Sequence, residues 1–72
     1  MRRKFNATAF RTARKRKNHS QALVAELAGT SIRYVGALER GEKNNPSADM
    51  VSRFSIILDT PVDVLMTSSD EE

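Results

Sequence analysis

The stretch over residues 20–41, SQALVAELAGTSIRYVGALERG, constrains this chain more than any other. Ser20 begins an apolar-periodic segment, Gly29 ends it where a left-handed residue costs least, and Thr30-Ser31 supplies the cap of the next segment, which Gly41 closes. Two short helices joined by a tight turn follow from that punctuation.

The rest of the chain reads as support for this pair. Helix 1 is expected over residues 7–17, with Phe10, Ala13, Arg14 and Lys17 on one face and Arg11, Thr12, Lys15 and Arg16 turned outward. Asn18 ends it in place of a glycine. An arginine on a core-facing stripe is tolerated only when paired and hydrogen-bonded, so Arg14 calls for a carboxylate from another helix. Helix 2, from Ser20 to residue 28, turns Val24, Ala25, Leu27 and Ala28 inward and leaves Leu23 at the edge of the stripe. Helix 3, over residues 32–40, places Tyr34, Val35 and Leu38 inside and Ile32, Arg33, Gly36, Ala37 and Arg40 outside. Glu39 lies at the margin of the inner face and is the best-placed partner for Arg14; the pair is read as a structural lock, not a catalytic one.

After the polar loop GEKNNP, Ser47 caps helix 4 and Asp49 complements its dipole. Met50, Val51, Phe54, Ile57 and Leu58 recur at i, i+1, i+4, i+7 and i+8, which makes this helix the main core contributor, with Ile56 on the opposite side. Thr60 as cap and Pro61 as first residue begin a short helix 5 carrying Val62, Leu65 and Met66. Residues 1–6 are expected to be a basic flexible arm, residues 7–66 the folded domain, and residues 67–72, TSSDEE, an acidic disordered tail. The fold class expected is all-α, a compact five-helix bundle.

Composition narrows the functions. Seventy-two residues make one small core. There is no cysteine, so neither disulfides nor a cysteine zinc site staple it, and no apolar run approaches the ~20 residues of a membrane span. No cofactor, metal or membrane is expected, and the location expected is cytoplasmic. Eight of the twelve Lys and Arg residues fall in the first seventeen positions, whereas the remainder holds four bases against nine acids. A basic end of that kind suits a polyanion. The one histidine, His19, adjoins Ser20, but neighbours at a helix entry cannot form an oriented nucleophile and base, so an enzyme is not expected.

Ser20-Gln21, Val24-Ala25, Ala28-Gly29, Ser31, Tyr34-Val35, Leu38-Glu39-Arg40-Gly41 and Asn45-Pro46-Ser47, in this order and spacing, resemble the Xre/Cro type of phage-repressor-like helix-turn-helix proteins over residues 10–66. The resemblance implies that helix 3 enters the major groove of double-stranded DNA, with Ser31, Ile32, Arg33 and Ala37 at the base-reading positions. Arg33 suits guanine O6 and N7, while Ile32 and Ala37 suit only thymine methyls or sugar. Gln21, Tyr34, Arg40, Lys43 and Asn44 match phosphate-binding positions, and Arg14 with Glu39 matches the family's ion pair. The function implied is a sequence-specific DNA-binding transcriptional regulator acting as a homodimer on a palindromic operator. The resemblance leaves RNA polymerase or a toxin open as a further partner. Alternatives are an antitoxin that represses its own operon and holds a toxin partner, and a restriction-modification controller. Leu23, Leu27 and Ile56 depart from the family's usual polar residues, Gly36 costs helix 3 about 0.5–1 kcal/mol against alanine, and Asp59 replaces a glycine. Ile56, Val62, Val64 and Met66 are the candidates for a dimer face.

Overall fold

The computed structural model describes residues 4–66, so residues 1–3 of the expected arm and the expected tail lie outside the described residues. Five helices follow in order: α1 (Ala7–Arg16), α2 (Gln21–Ala28), α3 (Ile32–Arg40), α4 (Ala48–Leu58) and α5 (Val62–Leu65). No strand occurs among the described residues. α2 packs against α3 and α4, and α1 against α3 and α5.

The helix boundaries follow the caps. Ser20, Ser31 and Ser47 each accept the backbone N–H three residues on, at 3.0, 3.0 and 3.1 Å, satisfying a donor that the first turn leaves without an intrahelical partner. Gly29 adopts φ 75° and Gly41 φ 80°, left-handed positions that let Thr30 N–H return to the Ala25 carbonyl and Glu42 N–H to the Ala37 carbonyl, both at 2.9 Å. Asn18 does the same work after α1 at φ 59°, and Asp59 after α4 at φ 50°.

The core is built on Phe10, Val24, Val35, Leu38, Phe54, Leu58 and Leu65, all nearly inaccessible to solvent. Met50 and Ile57 of α4 flank it, half-buried. Phe5 joins this cluster: its ring lies 5.2 Å from Phe10 and 6.3 Å from Phe54, and Phe10 and Phe54 stand 4.7 Å apart, all tilted as aromatic quadrupoles prefer. Asn6 caps α1 by accepting from Ala9 N–H at 2.9 Å, and its own N–H donates to the Leu65 carbonyl at 2.7 Å. The folded body therefore begins before residue 7, because an aromatic side chain there buries more apolar surface than an exposed arm permits.

Other differences have local causes. Lys17 is exposed, since α1 ends at Arg16 and Lys17 serves as its C-cap. Leu27 is 55% exposed because Val24, Ala25 and Ala28 alone meet the core. Thr60 does not cap α5: its hydroxyl donates to the Leu58 carbonyl at 2.9 Å, the residue is buried, and Pro61 occupies the cap position. Arg53 lies off the apolar stripe of α4, and its Nη1 donates to the Ala28 carbonyl at 2.9 Å, so α4 closes the end of α2 beside Gly29.

Candidate nucleic-acid interface

α3 is held at both ends, and its exposed side chains inherit that rigidity. At its start Ser31 fixes the backbone of the first turn, which projects Ile32 and Arg33 into solvent next to the exposed Ser31 itself. Near its far end Glu39 receives Arg14 in a two-pronged contact, through Nε to Oε2 and through Nη2 to Oε1 at 3.1 Å. The third nitrogen of Arg14, Nη1, donates to the His19 carbonyl at 2.8 Å, so the guanidinium ties the α1–α2 turn to α3. Gln21 Nε2 donates to the same Glu39 carboxylate at 3.0 Å. Burial acts most strongly on that carboxyl and would raise its pKa, yet the hydrogen bonds from Arg14 and Gln21, with the charges of Arg14 and Arg11, outweigh it and hold the group below its ordinary value.

The outer face of α3 is narrower than the helical wheel predicts. Gly36 is buried and Ala37 is only 7% exposed. The chain after Gly41 doubles back so that Glu42 and Lys43 N–H both reach the Ala37 carbonyl, at 2.9 and 3.3 Å, and the Arg40 side chain lies over Gly36. Of the four positions expected to read bases, Ser31, Ile32 and Arg33 stand exposed together at the N-terminal end, and Ala37 offers little surface.

The five positions expected to bind phosphate divide between two clefts. Gln21 and Arg40 line one of about 310 Å³ with Arg11, Arg14, Lys15 and Glu39. The sequence marks Arg11 and Lys15 only as outward residues of the first helix; their convergence on Gln21 depends on how α1 crosses α2 and α3. Tyr34, Lys43 and Asn44 line the other, about 360 Å³, with Glu42 and Asn45. Tyr34 is half-buried against the core, while Lys43 and Asn44 are exposed. Arg40 does not stand free. Its Nε and Nη2 donate to the Glu42 carboxylate at 2.8 and 3.1 Å, a hydrogen-bonded pair that raises the arginine pKa and lowers that of the glutamate.

Of the residues named for a dimer face, Ile56 is 81% exposed, and Val62 and Val64 are exposed on the short α5; Met66 is half-buried against the core. Among the described residues no group of His, Asp or Glu side chains is placed to hold a metal ion, and no helix is long and apolar enough to cross a membrane.

The sequence profile of the helix-turn-helix family matches residues 10–65. The HTH-type transcriptional regulator SinR of Bacillus licheniformis is 36% identical over 58 residues, which cover 81% of this chain and 52% of that protein; the chain thus spans about half the length of the curated relatives it matches. The crystal structure of SinR, the master regulator for biofilm formation, in complex with DNA superposes with a TM-score of 0.80 at 31% identity, over 85% of this chain and 100% of that one. The restriction-modification controller protein C.AhdI from Aeromonas hydrophila gives a TM-score of 0.75 at 32% identity, over 83% of this chain and 89% of that one.

Proposed function

Because this chain belongs to the helix-turn-helix family, in its Xre/Cro type, we propose that it is a sequence-specific double-stranded DNA-binding transcriptional regulator. The observation that carries the proposal is the exposed Ser31, Ile32 and Arg33 at the capped start of an α3 whose other end is fixed by Arg14 and Glu39. A reader must be held rigidly by its scaffold, and α3 is tied to α1 and α2 through the bonds of Arg14 and Gln21 to Glu39. In the major groove Arg33 donates twice to guanine while Ile32 packs on a thymine methyl. One bidentate contact contributes roughly 1–3 kcal/mol, so most of the discrimination beyond it comes from DNA shape and from pairing of half-sites in a homodimer. Support for a dimer is the apolar exposure of Ile56, Val62 and Val64.

The backbone grip falls to the two clefts. Gln21, Arg40, Arg11 and Lys15 serve one phosphate path; Tyr34, Lys43 and Asn44 serve the other. Lys and Arg there release counterions on binding, which makes the affinity fall steeply with salt. The similarity to SinR, crystallised in complex with DNA, and to a restriction-modification controller supports this reading at the level of the domain.

A second reading, an antitoxin that represses its own operon, draws on Leu23 and Leu27, both exposed on α2. Stable co-purification with the product of a neighbouring gene would favour it. Selection of bound duplexes from random DNA, with the stoichiometry of the complex measured alongside, tests the main proposal. A two-fold symmetric consensus bound by two chains is expected; recovery of no enriched sequence rejects it.

A further inference from the structure

Glu42, the second residue beyond α3, closes the guanidinium fork of Arg40. Arg40 Nε donates to Oε2 at 2.8 Å and Nη2 to Oε1 at 3.1 Å. This is the two-pronged geometry that a guanidinium also offers to a phosphate. Gly36 makes room for it: a Cβ at that position would lie 3.0 Å from Arg40 Nη1 and 3.7 Å from Gln21 Oε1. The absent side chain lets the arginine lie along α3 toward the cleft lined by Arg11, Lys15 and Gln21. Glu42 also lines the recess of Tyr34, Lys43 and Asn44. One carboxylate therefore borders both sets of phosphate candidates and occupies the donor edge of one of them. The side chains of the pair are 58% and 59% exposed, so water screens the attraction and a competing anion displaces it at small cost.

We propose that Glu42 sets the affinity of the DNA interface by standing in for a backbone phosphate: its carboxylate holds the fork of Arg40 in the free protein, and a phosphodiester replaces it on binding. The inference rests on the DNA-binding reading above. Exchange of one anion for another at Arg40 releases less counterion than the capture of a phosphate by an unpaired cation. The exchange does not depend on base sequence, so Glu42 weakens specific and non-specific complexes alike, which speeds release from unrelated DNA.

The test measures dissociation constants of the full chain for a selected duplex and a shuffled one by fluorescence anisotropy, from about 50 to 200 mM salt. Four proteins are compared: wild type, Glu42→Gln, Arg40→Gln and the double variant. Thermal melts confirm that each is folded. Glu42→Gln is expected to tighten both duplexes about two- to fivefold at ~0.15 M salt, the range an exposed pair permits. It also steepens the slope of log K against log salt by about 0.9. In the Arg40→Gln background the same substitution brings neither change. Unaltered affinity and slope in Glu42→Gln overturn the inference, as does an equal gain in both backgrounds, which is a diffuse charge effect. If wild type prefers neither duplex, the sequence-specific DNA reading itself fails; if wild type discriminates and Glu42→Gln changes nothing, this inference alone fails.

Discussion

Arg14 of α1 and Glu39 of α3 form a two-pronged ion pair whose side chains are 12% and 5% exposed, with His19 and Gln21 completing the hydrogen bonds. The pair fixes the end of the proposed reading helix to the helix that precedes the motif. Glu39→Gln keeps the shape but leaves the guanidinium of Arg14 without a countercharge. A loss of about 2–3 kcal/mol in unfolding free energy is expected, below the range for fully buried pairs because this one borders an open cleft. Urea denaturation at neutral pH measures it; a loss under about 0.5 kcal/mol means the pair is dispensable.

The same carboxylate gives a pH dependence. Glu39 has a folded pKa below its ordinary value of 4.5, so its contribution is fully present above that value and is lost as pH falls through the lower folded one. Wild type and Glu39→Gln should therefore differ by a constant amount above about pH 4.5 and converge below it. A gap that widens on acidification contradicts the sign.

Phe5 stands inside the aromatic cluster with Phe10 and Phe54. Phe5→Ala is expected to cost about 2–4 kcal/mol, at the lower side of core aromatic truncations since Phe5 lies outside the helices, where the backbone relaxes more readily. Denaturant unfolding monitored by circular dichroism reads the change. No loss of stability would return residues 4–6 to the status of an arm.

Asp59 takes a left-handed conformation, φ 50° and ψ 49°, at the end of α4. Glycine adopts it without the steric penalty of a Cβ, so Asp59→Gly is expected to stabilise the fold by up to about 1 kcal/mol. A rise of several degrees in Tm is the sign of it. A fall in Tm would show that the aspartate side chain holds contacts worth more than the strain.

The helices were legible in the sequence because each is bracketed by residues with a specific chemical reason to be there: Ser20 and Gly29, Ser31 and Gly41, Ser47 and the break at Asp59. The Arg14–Glu39 lock was legible too, since an arginine on an apolar stripe requires a carboxylate. Features that depend on where one helix lies over another were not. Leu27 falls within the angular range of its stripe but beyond the reach of the core, and Ala37 is covered by the chain returning after Gly41. Phe5 has no periodic partner on its side of α1, so nothing local marks it as core. Thr60 before Pro61 has the pattern of a cap, yet its hydroxyl is taken by the Leu58 carbonyl. In the candidate interface, the exposure of Ile32 and Arg33 followed from the wheel, whereas the seating of Arg40 on Gly36 and Glu42 required the fold.

In the proposed complex the exposed start of α3 reads bases, with Arg33 as its strongest donor. The direct measurement is the binding of Arg33→Ala to a selected operator and to single-base variants of it, in a gel-shift series at fixed salt. Discrimination at one position is expected to collapse by about 1–3 kcal/mol, or roughly 5- to 150-fold, while weak, salt-sensitive binding to all duplexes persists. An unchanged order of preference among the variants would contradict it.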